Sequence, residues 1–115
     1  MLLQINERKI EPGIVHVEVM GSLTIERDPQ RLEVLTSELA EQGASKVILD
    51  LTGVVHIDSS GIGVIVVSSG RFKEAGSRFV VVVPEGRVLQ LLKRAGLDGL
   101  LTISDTVQAA AAAVA

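Results

Sequence analysis

The chain has 115 residues and is 47% apolar, enough for one compact domain with a real core and too short for two ordinary ones. Its 14 acidic and 11 basic side chains are scattered, giving a formal charge of −3, and Phe72 and Phe79 are its only aromatic residues, so it offers no basic cluster or stacking platform for nucleic acid. The absence of cysteine excludes disulfides and thiol chemistry; no apolar run approaches a membrane span, and the N-terminus turns polar too early for a signal peptide, so a soluble cytoplasmic protein is expected.

Residues 2–10 and 14–20 alternate apolar and polar positions, with Leu3 and Ile5 in the first run and Ile14, Val15, Val17 and Val19 in the second. The intervening Glu11-Pro12-Gly13 is a turn signal, and the pair predicts an antiparallel hairpin. Asp28 is placed as an N-cap with Pro29 in the first helical position, and Leu32, Leu35 and Leu39 recur at helical spacing until Gly43. That leucine stripe belongs to the core. A short β-branched strand follows at Lys46–Leu51, and Val54-Val55-His56-Ile57 leads into the turn at Asp58.

A helix is predicted from about Ser59 to Ala75, with Ile62, Ile65, Val66 and Phe72 on its inner face. Arg78–Val83 is a continuous apolar run, the habit of a strand buried on both faces, and Pro84 stops it. Residues 85–95 carry Val88, Leu91, Leu92 and Ala95 at helical spacing, with Gly96 as the stop. Leu100–Ile103 reads as a last short strand, and Ser104 as the cap of a terminal helix rich in alanine. The alternation from residue 46 onward predicts right-handed crossovers. The expected fold is a single α/β domain over residues 1–115, with a mostly parallel mixed sheet, an antiparallel N-terminal hairpin strand and about four flanking helices.

Chemistry concentrates at Asp58-Ser59-Ser60-Gly61. Hydroxyls at a strand-to-helix junction lie on the surface, and the free amides and positive dipole end of the helix accept an anion readily. On local physics alone these residues are helix caps. Asp58 reads as the N-cap acceptor, compatible with a role in orienting the serine hydroxyl or a kinase-bound metal during transfer; Ser60 reads as a structural hydroxyl of the first turn, with a second phosphosite as the alternative, and Gly61 and Gly63 as permitting close approach of a backbone or partner. Other chemistries lack their frames. Gly61-Ile62-Gly63 misses the third glycine of a dinucleotide fingerprint, no Gly-Lys-Ser/Thr loop exists, and no Gly-x-Ser-x-Gly elbow is present. His16 and His56 have no metal-ligand spacing and read as surface or strand residues. Neither a metal nor a cofactor is expected.

Ile57-Asp58-Ser59-Ser60-Gly61-Ile62-Gly63 after a valine-rich strand, Gly21-Ser22-Leu23 closing the second strand, and Leu91-Leu92-Lys93-Arg94-Ala95-Gly96-Leu97 in the third helix resemble the STAS domains, specifically the bacterial anti-sigma factor antagonists. The resemblance runs nearly end to end. It implies a non-enzymatic binding module that engages a GHKL-type anti-sigma factor serine kinase when unphosphorylated and releases it on phosphorylation, with a serine phosphatase restoring the active form. The acceptor it implies is Ser59, directly after the aspartate, and the partner surface comprises Asp58, Ser59, Ser60, Gly61 and Thr24. Two positions depart from the family pattern: Thr24 stands where an acidic residue is common, and His56 where an apolar or aromatic one is. A STAS subunit of a stress-signalling scaffold or of a transport system would share most of the pattern. The oligomeric state is left open.

Overall fold

The computed structural model describes residues 1–11 and 13–115, so Pro12, at the centre of the expected hairpin turn, lies outside the described residues. The strands are β1 (Leu3–Glu11), β2 (Ile14–Leu23), β3 (Lys46–Ile57), β4 (Arg78–Val82) and β5 (Ile103–Ser104), and the helices are α1 (Gln30–Glu41), α2 (Ser59–Glu74), α3 (Arg87–Arg94) and α4 (Val107–Val114). The described residues also include two short 3-10 turns, Ile25–Arg27 and Leu97–Gly99. The five strands form one sheet in the order β1-β2-β3-β4-β5; β1 runs antiparallel to β2, and every other neighbouring pair is parallel.

Register follows from burial of both faces. Val17, Leu49 and Val81 lie side by side across three strands, each fully buried. With Val15, Val19, Val47, Leu51 and Val83 they face Leu32 and Leu39 of α1, Val64, Ile65 and Phe72 of α2 and Leu92 of α3. The alternate residues Ile14, Ile48, Val80 and Val82 pack against Ala110 and Val114 of α4 on the other face. Val80–Val83 of the apolar run are thus buried on both sides, as their lack of alternation indicates, while Arg78 at its start is exposed. The alanines of α4 bring that helix close to the sheet, and the only two aromatics, Phe72 and Phe79, stack with ring centroids 5.1 Å apart.

Helices α1 and α2 are tied by a buried hydrogen bond between the Thr36 and Ser68 hydroxyls at 2.7 Å. Thr36→Val keeps the volume and strands the Ser68 hydroxyl, which is expected to cost about 1–2 kcal/mol, read as a lower urea midpoint at unchanged slope.

Several local expectations are corrected. The strand at 46–51 continues to Ile57, because β2 is long enough to pair with it through Leu23 and Ile57, with irregular register at Glu18/Met20 and Gly21/Ser22. Gly53 is a packing site within it; a Cβ there would lie 2.7 Å from Cγ of Met20. Asp28 does not cap α1. It closes the preceding 3-10 turn in the left-handed region (φ 56°), and Pro29 occupies the cap position, so α1 opens with no side-chain cap. The third helix begins at Arg87 rather than 85, the last strand is reduced to Ile103–Ser104, and α4 is capped by Thr106, whose Oγ1 accepts from the Ala109 amide at 3.1 Å. Thr106 outcompetes Ser104 because the latter's backbone is held in the ladder by the Val83 amide. Finally, His16 is a strand residue but buried, with Nε2 2.9 Å from Oδ2 of Asp50 on β3.

Among the described residues, no helix is long and apolar enough to cross a membrane.

Candidate functional site

The candidate site forms where β3 ends. Asp58 is extended (φ −124°, ψ −173°) and its carboxylate meets two separate segments. Oδ1 accepts from the Gly61 amide at 3.1 Å, the N-cap bond of α2, and Oδ2 accepts from the Ile25 amide at 2.9 Å, in the turn that follows β2. The Asp58 amide in turn donates to the Leu23 carbonyl at 3.4 Å, and the Ile62 amide donates to the Asp58 carbonyl at 3.0 Å. The Ile25 amide is the largest influence on the Asp58 carboxyl; with smaller help from the Gly61 and Ser60 amides it outweighs the opposing effect of burial and holds the group below its ordinary value. Asp58 is therefore ionised at neutral pH.

Ser59 is the first residue of the 16-residue α2 and is exposed; Ser60 is half-buried. Ser59 thus opens a helix whose first amides carry the positive end of its dipole, directly after the capping Asp58 in the chain. Gly61 is buried, and close approach is its purpose: a Cβ there would lie 2.1 Å from the Leu23 carbonyl oxygen and 2.9 Å from Leu23 Cγ. Gly63 differs, since a Cβ on it would meet nothing within 4 Å, so it makes no close approach within this chain.

Thr24 joins the same corner. It is half-buried, ahead of the Ile25–Arg27 turn, and with Ser22, Ile25, His56 and Asp58 it lines a shallow open depression. The five expected residues, Thr24, Asp58, Ser59, Ser60 and Gly61, are therefore brought together on two segments. His56 is exposed at the end of β3, whereas His16 is directed to Asp50 nearer the opposite end of that strand. Lys93 and Arg94, at the end of α3, are exposed.

Two contributions are not read from the sequence: the contact of Leu23 and the exposure of Ile25. Leu23 supplies the carbonyl against which Gly61 packs, and Ile25, a large apolar side chain, is 62% exposed next to the serine turn. For Ile25 the available signal was an isoleucine in the polar stretch Thr24–Asp28.

Comparison with known proteins agrees with this geometry. Residues 7–110 match the family model of the STAS domain. A Thermotoga neapolitana protein named "putative anti-sigma factor antagonist TM1081 homolog" is 31% identical over 102 residues, 89% of this chain and 90% of its own length. The crystal structure of the similarly named Thermotoga maritima protein superposes with a TM-score of 0.85 at 29% identity, covering 96% of this chain and 93% of that one. The fold is shared with the Bacillus anti-sigma factor antagonist SpoIIAA, whose phosphorylated form superposes with a TM-score of 0.74 at 18% identity, covering 97% of this chain and all of that one. With a five-stranded mixed sheet, four helices and an Asp-Ser-Ser-Gly turn at the end of its longest strand, the chain belongs to the STAS domain family and has the fold of its anti-sigma factor antagonists.

Proposed function

We propose that this protein is an anti-sigma factor antagonist switched at Ser59. Unphosphorylated, it binds an anti-sigma factor that is also a GHKL-type serine kinase; phosphorylated, it lets go, and a serine phosphatase restores it. The observation that carries this reading is the exposed Ser59 at the start of α2, beside an ionised Asp58 and the Thr24 segment. The similarity to proteins named as anti-sigma factor antagonists supports it, as does the shared fold of SpoIIAA, known in a phosphorylated form.

The chemistry is a phosphoryl transfer performed by the partner. Ser59 Oγ attacks the γ-phosphorus of ATP, the bond to the β-phosphate oxygen breaks to release ADP, and the hydroxyl proton passes to a base of the kinase. The phosphatase reverses the state with water, leaving serine and inorganic phosphate. The product carries about −1.5 to −2 charges at pH 7, which the helix terminus tolerates within the chain. Against a docked partner, that charge added to Asp58 makes a dense negative patch with a large desolvation cost. Residues 1–115 act in this reading as one cytoplasmic STAS module without catalysis of their own, with Thr24, Asp58, Ser59, Ser60 and Gly61 on the partner surface.

The test is incubation with ATP and the serine kinase encoded beside this protein or co-purifying with it, followed by intact-mass and peptide mass spectrometry. One added phosphate on Ser59, absent from Ser59→Ala, is expected, and the phosphorylated protein should no longer retain the kinase on a column. A phosphate that persists in Ser59→Ala would move the site, and undiminished retention by the phosphorylated protein would defeat the release mechanism.

A further inference from the structure

The Ile25–Arg27 turn has no buried residue, so core packing does not hold it in place. Within itself it is closed by the Arg27 amide donating to the Thr24 carbonyl at 3.0 Å and by Asp28 in the left-handed region. Toward α2, its contact is the Ile25 amide donating to Asp58 Oδ2 at 2.9 Å, a bond between residues 33 apart in sequence. A bond to a carboxylate is stronger than one between neutral groups. The other oxygen of the same carboxylate caps α2, two residues after Ser59. One side chain therefore sets the position of an exposed isoleucine relative to an exposed serine.

From this geometry, and resting on the reading of Ser59 as the phosphorylation site, we infer that Asp58 is a positioning residue that locks the Ile25 turn to the start of α2. It thereby presents Ile25 as an apolar anchor to the same kinase surface that receives Ser59. The partner chemistry is an apolar pocket on the kinase beside its phosphoryl-transfer site, the usual form of an interface anchor surrounded by polar contacts. Asp58 acts through the turn and need not touch the partner to do so.

Asp58→Asn separates the two tasks of the carboxylate. Asparagine is as good an N-cap as aspartate, so α2 keeps its start, but the Gly61 and Ile25 amides address separate oxygens, and with the remaining oxygen on Gly61 the Ile25 amide faces an NH2 donor. The experiment measures steady-state phosphorylation of the full chain by the kinase isolated with the wild-type protein, together with hydrogen exchange at the Ile25 amide. Expected are a KM for the protein substrate raised about tenfold in Asp58→Asn with kcat nearly unchanged, and loss of protection at the Ile25 amide. Ile25→Ala should raise KM similarly, and the double variant should be no worse than Ile25→Ala alone, because both changes remove one contact. A KM for Asp58→Asn within about twofold of wild type, an Ile25 amide that stays protected in it, or multiplied effects in the double variant would each overturn the inference. Wild-type protein that takes no phosphate on Ser59 would instead remove the parent reading, and this one with it.

Discussion

Replacing Asp50 by alanine is expected to cost about 3 kcal/mol of stability at neutral pH, and the cost should shrink in acid. Asp50 and His16 lie on adjacent strands, both nearly inaccessible, with His16 Nε2 2.9 Å from Asp50 Oδ2. The other carboxylate oxygen accepts from the Thr52 amide at 2.9 Å and from the Thr52 hydroxyl. Burial is the largest single influence and raises the Asp50 pKa, but the bonds from Thr52 and His16 together prevail and hold it below its ordinary value of 3.8. The group is ionised at pH 7, so Nε2 donates. Removing the acceptor leaves a buried imidazole N–H unpaired and the Thr52 groups without their partner, which is why the penalty exceeds that of an ordinary surface change.

The sign of the pH dependence follows from the lowered pKa. The unfolded chain takes up the proton first, near pH 3.8, so the stabilisation by Asp50 is complete above that value and is lost as pH falls through the lower folded value. Urea unfolding of wild type and Asp50→Ala at pH 7 and at about pH 3 should give a wide gap that narrows in acid. A gap that is small at pH 7, or that widens in acid, would contradict this account of the pair.

Gly61→Ala is expected to destabilise the domain by about 2–3 kcal/mol, whereas Gly63→Ala, two residues on in the same helix, should stabilise it by up to about 1 kcal/mol. Alanine is the better helix former at both positions. At Gly61 that gain is overwhelmed, because the new methyl would sit 2.1 Å from the Leu23 carbonyl oxygen and 3.0 Å from Ile57 Cγ1. The obstruction is backbone at the end of a central strand, so relief requires moving α2 away from β2 and disturbing the Asp58 contacts with it. At Gly63 the space is open and the position exposed, leaving propensity alone. Thermal or urea unfolding of both variants checks the pair; equal effects would mean that helix propensity, not the approach to Leu23, governs Gly61.

What the sequence determined by itself was whatever depends on near neighbours along the chain. Period-two alternation marked the β1–β2 hairpin, the unbroken Arg78–Val83 run marked a strand buried on both faces, and Asp58 followed by two serines marked the start of α2, because a cap bond spans only three residues. The same locality explains the failures. Asp28-Pro29 has the composition of a helix start, yet the chain enters α1 from a 3-10 turn that consumes Asp28 as its end, and the β-branched run of the third strand ends at Leu51, yet pairing with β2 carries β3 on to Ile57. Only the tertiary structure decided that Asp58 reaches Ile25, that Gly61 must yield to Leu23, and that His16 is buried on Asp50. Those contacts join residues more than thirty apart, and each depends on the parallel register of β2 on β3, which no local pattern encodes.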